Sequence, residues 1–387
     1  MKTKVLVLHT SVGYGIKVTA LNIHKKLIED DGFEPRIEDV EKYNEGVLIS
    51  TSRFVYTLLL THFSGLWGFL YKSKLVITLT LPLRKLIARF NYKKTLRILR
   101  EYQPAIVIST EAAPSAVVAY LKSQGLYRGK FVIVFSDYHL HRFWLYKEAD
   151  LYLCNVPEQV TELIKLKVPA EKIVLTGAVL SGQFLKPIDK QATKTKLGML
   201  TTMPIVLITG GGHMRMAIKQ TFLSLLRSPL SFQVVVICGK NEKLRQELFK
   251  ITAPSHHPIK ILGFIDNMDE FMAVSDVLVG KTGGPTVIEA VARKLPMVLT
   301  DVRAGHELEN LKYLLRHRIV SFGRIPRETV HLVNEVLQGR IKTDFDRAQK
   351  LLIQPDSAKS VAQALDLIKP ELPKFKISNY QQIKGVR

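Results

Sequence analysis

A chain of 387 residues has room for two α/β domains, each with its own core, and its composition excludes a disordered or low-complexity protein. With 56 Lys and Arg against 34 Asp and Glu, the formal net charge is +22, a balance that favours nucleic acid, anionic lipid or a phosphorylated substrate as partner. Its two cysteines, Cys154 and Cys238, lie far apart in apolar runs, which excludes a disulfide framework and a cysteine zinc site and fits a reducing cytoplasm.

Residues 4–8 form an apolar run expected to be a buried strand. The run is too short for an export signal, and Gly13 and Gly15 after it suit a turn into a helix over 16–29. Residues 54–71 carry no formal charge, and residues 72–100 then hold nine basic and no acidic residues. A run of 18 reaches the lower limit for a transmembrane helix, about 17–25 residues. Polar and glycine positions dilute it, so the expectation is a segment lying on an anionic membrane surface. A pair of internal helices with lysines facing water is the alternative.

Further strands are expected at 104–109 and 131–135. The latter delivers Asp137, His139 and His141 at its carboxyl end, where doubly wound sheets bind ligands. This is a possible acid/base set; the plain alternative is a capped turn with solvated histidines. A strand at 150–156 and a helix to 167 follow, and the polar stretch 183–200 has no periodicity and reads as a linker.

In the second half, a strand at 204–209 runs into Gly210, Gly211 and Gly212, a loop suited to close approach by a ligand. Residues 233–239 and 259–266 read as strands, with Phe264 and Ile265 at the end of the second. An apolar strand at 276–280 leads to Thr282, Gly283, Gly284 and Pro285, and a helix begins there with proline at its favoured first position. Free N–H groups, the positive end of the helix dipole and two glycines suit an anion site; the plain alternative is an ordinary βα turn with two glycines. Thr286 lies in the first turn, and Glu289 stands where a carboxylate could accept ribose hydroxyls. Residues 370–387 form a proline-interrupted basic tail.

The stretch from Thr282 to Glu289 resembles the nucleotide-binding turn of GT-B glycosyltransferases of family 28, most closely the monogalactosyldiacylglycerol synthases and processive diacylglycerol glucosyltransferases. Supporting matches are Gly13, Gly15 and Ala20 near the acceptor site, the 136–144 segment with Asp137 and His141, the Gly210–Gly212 loop, and the 259–266 stretch. The family's sugar-reading loop is matched at Gly305, Glu307 and Asn310, with His306 replacing a glutamine. Ile16 stands where the family has a histidine.

The resemblance implies a GT-B fold of two Rossmann-like domains, 1–182 facing acceptor and membrane and 201–369 binding the donor, with the last helix crossing back. It implies metal-independent and inverting transfer of a hexose from UDP-glucose or UDP-galactose to diacylglycerol or a related lipid. Asp137 and His141 would be catalytic. The expected donor set is Gly210–Gly212, Phe264, Ile265, Thr282–Gly284, Thr286, Glu289, His306, Glu307 and Asn310. No cofactor beyond the donor substrate and no nucleic-acid partner is expected, and the expected location is the inner face of the cell membrane. Alternatives are a transferase for a polyprenyl-linked acceptor, a UDP-sugar epimerase, or a non-catalytic basic relative permitted by the missing histidine.

Overall fold

The structure, a computed structural model, describes residues 2–10, 14–40, 64–210, 216–251, 255–353 and 357–369. Gly13, Gly211, Gly212, the apolar residues 54–63 and the 370–387 tail lie outside them. The first half contains β1 (Thr3–His9), α1 (Tyr14–Glu29), β2 (Phe33–Asp39), α2 (Ser64–Lys72), α3 (Lys74–Tyr102) and β3 (Ile106–Ser109). It continues with α4 (Ala112–Ser123), β4 (Lys130–Val134), β5 (Leu151–Cys154), α5 (Pro157–Lys165) and β6 (Ile173–Leu175). After α6 (Lys190–Lys196) the second half runs β7 (Ile205–Thr209), α7 (Met216–Leu225), β8 (Gln233–Ile237), α8 (Glu242–Ile251), β9 (Ile259–Leu262), α9 (Met268–Val274) and β10 (Val277–Gly280). It ends with α10 (Gly284–Ala292), β11 (Met297–Leu299), α11 (His306–Arg316), β12 (Ser321–Phe322), α12 (Pro326–Leu337), α13 (Phe345–Leu352) and α14 (Ser357–Asp366).

Two parallel sheets of six strands result, ordered β2-β1-β3-β4-β5-β6 and β12-β11-β10-β7-β8-β9. Both are doubly wound, as the sequence reading expects. The central strands β3, β5, β7, β8 and β10 are buried along their whole length, because helices cover both faces of a parallel sheet. Strand order reverses between β1 and β3 in the first sheet and between β7 and β10 in the second. Crevices open at the carboxyl ends of such strand pairs. The first is bordered by Thr10 and Glu111, whose side chains hydrogen-bond to each other, and the second by Gly210 and the 281–284 turn.

Three elements differ from the sequence reading. β2 was not expected because Pro35 and four charged residues break its pattern, yet it pairs with β1 through all seven residues at the sheet edge, where a missing N–H is tolerated. β12 is too short to leave a pattern. The stretch read as an unstructured linker contains α6, whose first turn is capped by Asp189 accepting from the Gln191 and Ala192 N–H groups at 2.9 and 3.1 Å. α14 returns to the first sheet, where Val361, Ala362 and Leu365 join Val5, Val7, Ile23 and Leu27 in one core.

The two halves meet through backbone as well as side chains. A Cβ on Gly284 would lie 2.7 Å from the Ser136 carbonyl oxygen, and one on Gly15 would lie 3.1 Å from Pro285 Cδ. Tyr138, fully buried, donates its hydroxyl to the Gly284 carbonyl at 3.1 Å and stacks on Tyr313 of α11. Gly284→Ala is expected to force the halves apart, costing about 1–3 kcal/mol as overpacking does, measurable as a lower urea midpoint. Gly283→Ala, whose added methyl would meet only Thr286 Oγ1 at 3.8 Å, is expected to cost much less.

Candidate active site

The turn between β10 and α10 places a helix N-terminus at the mouth of the second crevice. Gly283 at the N-cap offers no side-chain hydrogen bond, so the first-turn N–H groups, those of Gly284 and Thr286 with none from Pro285, have no capping side chain. Thr282 is buried and donates its hydroxyl to the Glu307 carbonyl at 3.0 Å, which fastens the turn to the start of α11. Thr286 is half-buried in the first turn.

Glu289 lies on the next turn of α10. Its carboxyl has no hydrogen bond or ion pair among the described residues, and it is pushed up to about 8, by burial first and by the nearby Asp269 second. A carboxyl held without a protein partner carries a desolvation cost that a hydrogen bond from a ligand would recover. Beyond β9, Phe264 is half exposed with the Lys240 ammonium 5.9 Å from its ring centre, a flat platform with a cation beside it. Ile265 is instead packed against the core. Gly210 is buried at the end of β7.

The 301–310 segment is braced internally. Gly305 takes φ 94, a left-handed conformation suited to glycine, and Glu307 Oε2 accepts the Arg303 N–H at 2.9 Å. His306 begins α11, half-buried. Asn310 is buried and turned toward the first half of the chain: its Nδ2 donates to Asp137 Oδ1 at 2.8 Å while its Oδ1 accepts the Tyr138 N–H at 3.0 Å. Glu307 and Asn310, expected to read a sugar, are thus both engaged with protein groups here.

Asp137 follows β4. Its main-chain carbonyl accepts Gln159 Nε2 at 2.8 Å and Asn155 Nδ2 at 3.3 Å, so the loop is anchored to α5. Beyond Asn310, its half-buried carboxylate has no hydrogen-bond partner among the described residues, which leaves its second oxygen without a protein donor there. Its neighbours Ser136 and Tyr138 both touch Gly284, so Asp137 stands beside the N-terminus of α10. His141 is arranged differently. Its Nδ1 accepts the Phe143 N–H at 3.3 Å and its Nε2 faces the Tyr71 carbonyl at 3.0 Å. That pairing requires the neutral ring with the proton on Nε2, and burial lowers the ring's tendency to protonate. Both nitrogens of His141 are therefore spent on holding the loop.

Two features escaped the sequence reading. Glu158 of α5 accepts from the Tyr313 hydroxyl at 3.2 Å and pairs with His317 at 2.9 Å, closing the halves at a second place. Arg84 of α3 turns inward, donating to the Phe143 carbonyl at 2.7 Å and covering the Tyr146 ring at 4.4 Å. On the outer face of α3, Leu75, Leu79, Leu86 and Phe90 are half to two-thirds exposed. At 100° per residue these four fall within one narrow stripe, flanked by exposed Lys85, Arg89 and Lys93. Among the described residues no helix is long and apolar enough to cross a membrane, and no group of three or more candidate metal ligands occurs.

Solved structures with the same architecture include MurG of Acinetobacter baumannii, with a TM-score of 0.58, 14% identity, and coverage of 95% of this chain and 99% of that one. A UDP co-structure of S. aureus MnaA matches with a TM-score of 0.58 at 13% identity, covering 97% of this chain and all of that one. The fold is GT-B. Residues 18–180 match the monogalactosyldiacylglycerol (MGDG) synthase model and residues 205–361 the glycosyltransferase family 28 C-terminal domain. The processive diacylglycerol beta-glucosyltransferase of Bacillus cereus is 30% identical over 280 residues, 72% of this chain and 71% of that protein. The chain therefore belongs to glycosyltransferase family 28, in the group of the monogalactosyldiacylglycerol synthases and processive diacylglycerol glucosyltransferases.

The raised Glu289 has a consequence for stability. The folded protein keeps a proton there that the unfolded chain loses, so stability falls as pH rises from about 4.5 to about 8. Glu289→Gln removes that titration. Relative to the parent chain it is expected to gain about 1–3 kcal/mol at pH 8 and little at pH 5, read from melting temperatures at the two pH values. A constant difference would show that Glu289 titrates normally.

Proposed function

We propose that this glycosyltransferase moves a hexose from a UDP-sugar to diacylglycerol or a related membrane lipid, without a metal and with inversion at the anomeric carbon. The observation that carries the reading is the apposition of Asp137, open on one oxygen, with the uncapped N-terminus of α10 beside the partnerless Glu289. In this reading the two phosphates lie on the first-turn N–H groups of α10, the ribose hydroxyls on Glu289, and the uracil against the Phe264–Ile265 segment. Asp137 takes the proton of the acceptor hydroxyl, whose oxygen forms a bond to the anomeric carbon as the bond to the UDP oxygen breaks. The negative charge gathering on UDP is met by fixed N–H dipoles in place of a metal. His141 holds the loop instead of moving protons, a change from the role expected of it. Similarity to the diacylglycerol beta-glucosyltransferase of Bacillus cereus favours glucose over galactose and diacylglycerol as acceptor.

The apolar stripe of α3 with its flanking cations supports docking on an anionic bilayer at the inner face of the cell membrane, the acceptor entering from that side. Ile16, in place of the family's histidine, favours a second reading in which the chain binds its ligands without turnover. The residue boundaries that go with the proposal are an acceptor domain over 1–182, a linker over 183–200 and a donor domain over 201–369.

UDP release from UDP-glucose and UDP-galactose, with and without diacylglycerol in anionic vesicles, is the deciding measurement. Acceptor-dependent release from one donor is expected, and Asp137→Asn is expected to lower it by roughly 10²–10⁴-fold with UDP affinity intact. UDP binding with no release under any condition would establish the second reading. Membrane docking is checked by co-sedimentation. Lys85→Ala, Arg89→Ala and Lys93→Ala together are expected to weaken binding by about 1 kcal/mol each, and salt is expected to weaken it further through screening over about 10 Å at 0.1 M. Equal sedimentation with neutral and anionic vesicles would remove the electrostatic part of the docking.

A further inference from the structure

The side chains around Asp137 form a hydrogen-bonded chain whose direction can be worked out group by group. Asn310 Oδ1 accepts from the Tyr138 main chain and Asn310 Nδ2 donates to the Asp137 carboxylate, which fixes the amide orientation. His139 Nδ1 lies 3.3 Å from that same Oδ1, so Nδ1 carries a proton and donates. Tyr71 Oη lies 2.6 Å from His139 Nε2, the remaining ring nitrogen, which accepts the phenol proton when the ring is neutral. The order is Tyr71 to His139 to Asn310 to Asp137, and its members come from α2, the loop after β4 and α11.

Tyr71 sits at the end of α2, the helix that leads into the apolar stripe of α3 and carries exposed Leu66 and Phe69. α2 also touches the second half of the chain: a Cβ on Gly68 would lie 3.0 Å from Ala304 Cβ, in the loop before α11. The Tyr71 ring stacks on His141 at 4.4 Å, and its carbonyl holds His141 Nε2. The seat of α2 is thus read by two histidines, of which His139 alone has a hydrogen bond toward the cleft.

We propose that Tyr71 and His139 are positioning residues that orient Asn310 and, through it, Asp137, so that the carboxylate is aimed only when α2 is seated and the two halves are closed. The proposal rests on Asp137 acting as the base. It gives the amphipathic segment a second task besides any contact with lipid: completing the reactive geometry, so that turnover is tied to the state of the acceptor-side helix. No proton needs to travel along the chain; each group fixes the rotamer of the next.

The test uses the full chain, UDP-glucose or whichever donor it turns over, and diacylglycerol in anionic vesicles. His139→Ala is expected to lower kcat by ~10–100-fold, the scale of a misaimed reacting group, with donor KM, UDP affinity and melting temperature unchanged. His139→Asn is expected to restore most of that loss, because its Nδ2 can stand where ring Nδ1 stood and donate to Asn310. Tyr71→Phe is expected to lower kcat several-fold. If Asp137→Asn is inactive while His139→Ala and Tyr71→Phe keep full kcat, the positioning chain is wrong. If His139→Ala loses kcat only together with melting temperature, and His139→Asn restores nothing, the residue is merely structural and the proposal is overturned. An Asp137→Asn chain of full activity would be a different failure, of the base assignment itself.

Discussion

Backbone meets backbone where Gly284 passes the Ser136 carbonyl, and this contact governs how the rest of the cleft is arranged. No side chain fits there, so the C-terminal edge of the first sheet and the first turn of α10 are pressed together. Asp137 is carried between Ser136 and Tyr138 and has no choice but to lie beside a helix N-terminus. A carboxylate and a helix N-terminus without a capping side chain are thereby held side by side.

Polar groups around the cleft divide into those already satisfied and those left open. Thr282, Glu307, Asn310 and His141 spend theirs on holding loops and halves together. Glu289, one oxygen of Asp137 and the first-turn N–H groups of α10 lack protein partners among the described residues. In this second group Glu289 and Asp137 are half-buried, and the group carries polar capacity that a ligand could use. In the proposed reading that set serves as anion cradle, hydroxyl acceptor and base for a nucleoside diphosphate sugar and a hydroxyl nucleophile.

Helical phase decides which cations of α3 reach solvent. Arg84 points inward and ties the 143–146 loop, while Lys85, Arg89 and Lys93 point outward beside the apolar stripe. A count of basic residues over 72–100 could not separate the two uses. Arg84 is a structural cation whose guanidinium geometry suits carbonyls and rings; the lysines are compact charges suited to a diffuse anionic surface.

What the sequence alone determined was local. Apolar runs of four to seven residues announced most strands, because a strand buried on both faces must be apolar throughout. Glycine and proline turns announced the helix starts, because only certain backbones permit them. From these came the Thr282–Glu289 turn and the Asp137 loop, and the family resemblance that they carry implied the two doubly wound sheets. β2 and α6 were hidden, the one by proline and charge at a sheet edge, the other by a polar composition stabilised through its cap. Tertiary structure decided the contacts that join distant segments: Asn310 on Asp137 and Glu158 on His317 across the cleft, and Tyr71 on His139 within the first half. Partners 173, 159 and 68 residues apart leave no mark in any local pattern. The two pairs across the cleft follow from the way two separately folded sheets dock, and the pair within the first half from the way α2 seats on the β4 loop. Each depends on the summed shape of both surfaces and not on either segment by itself.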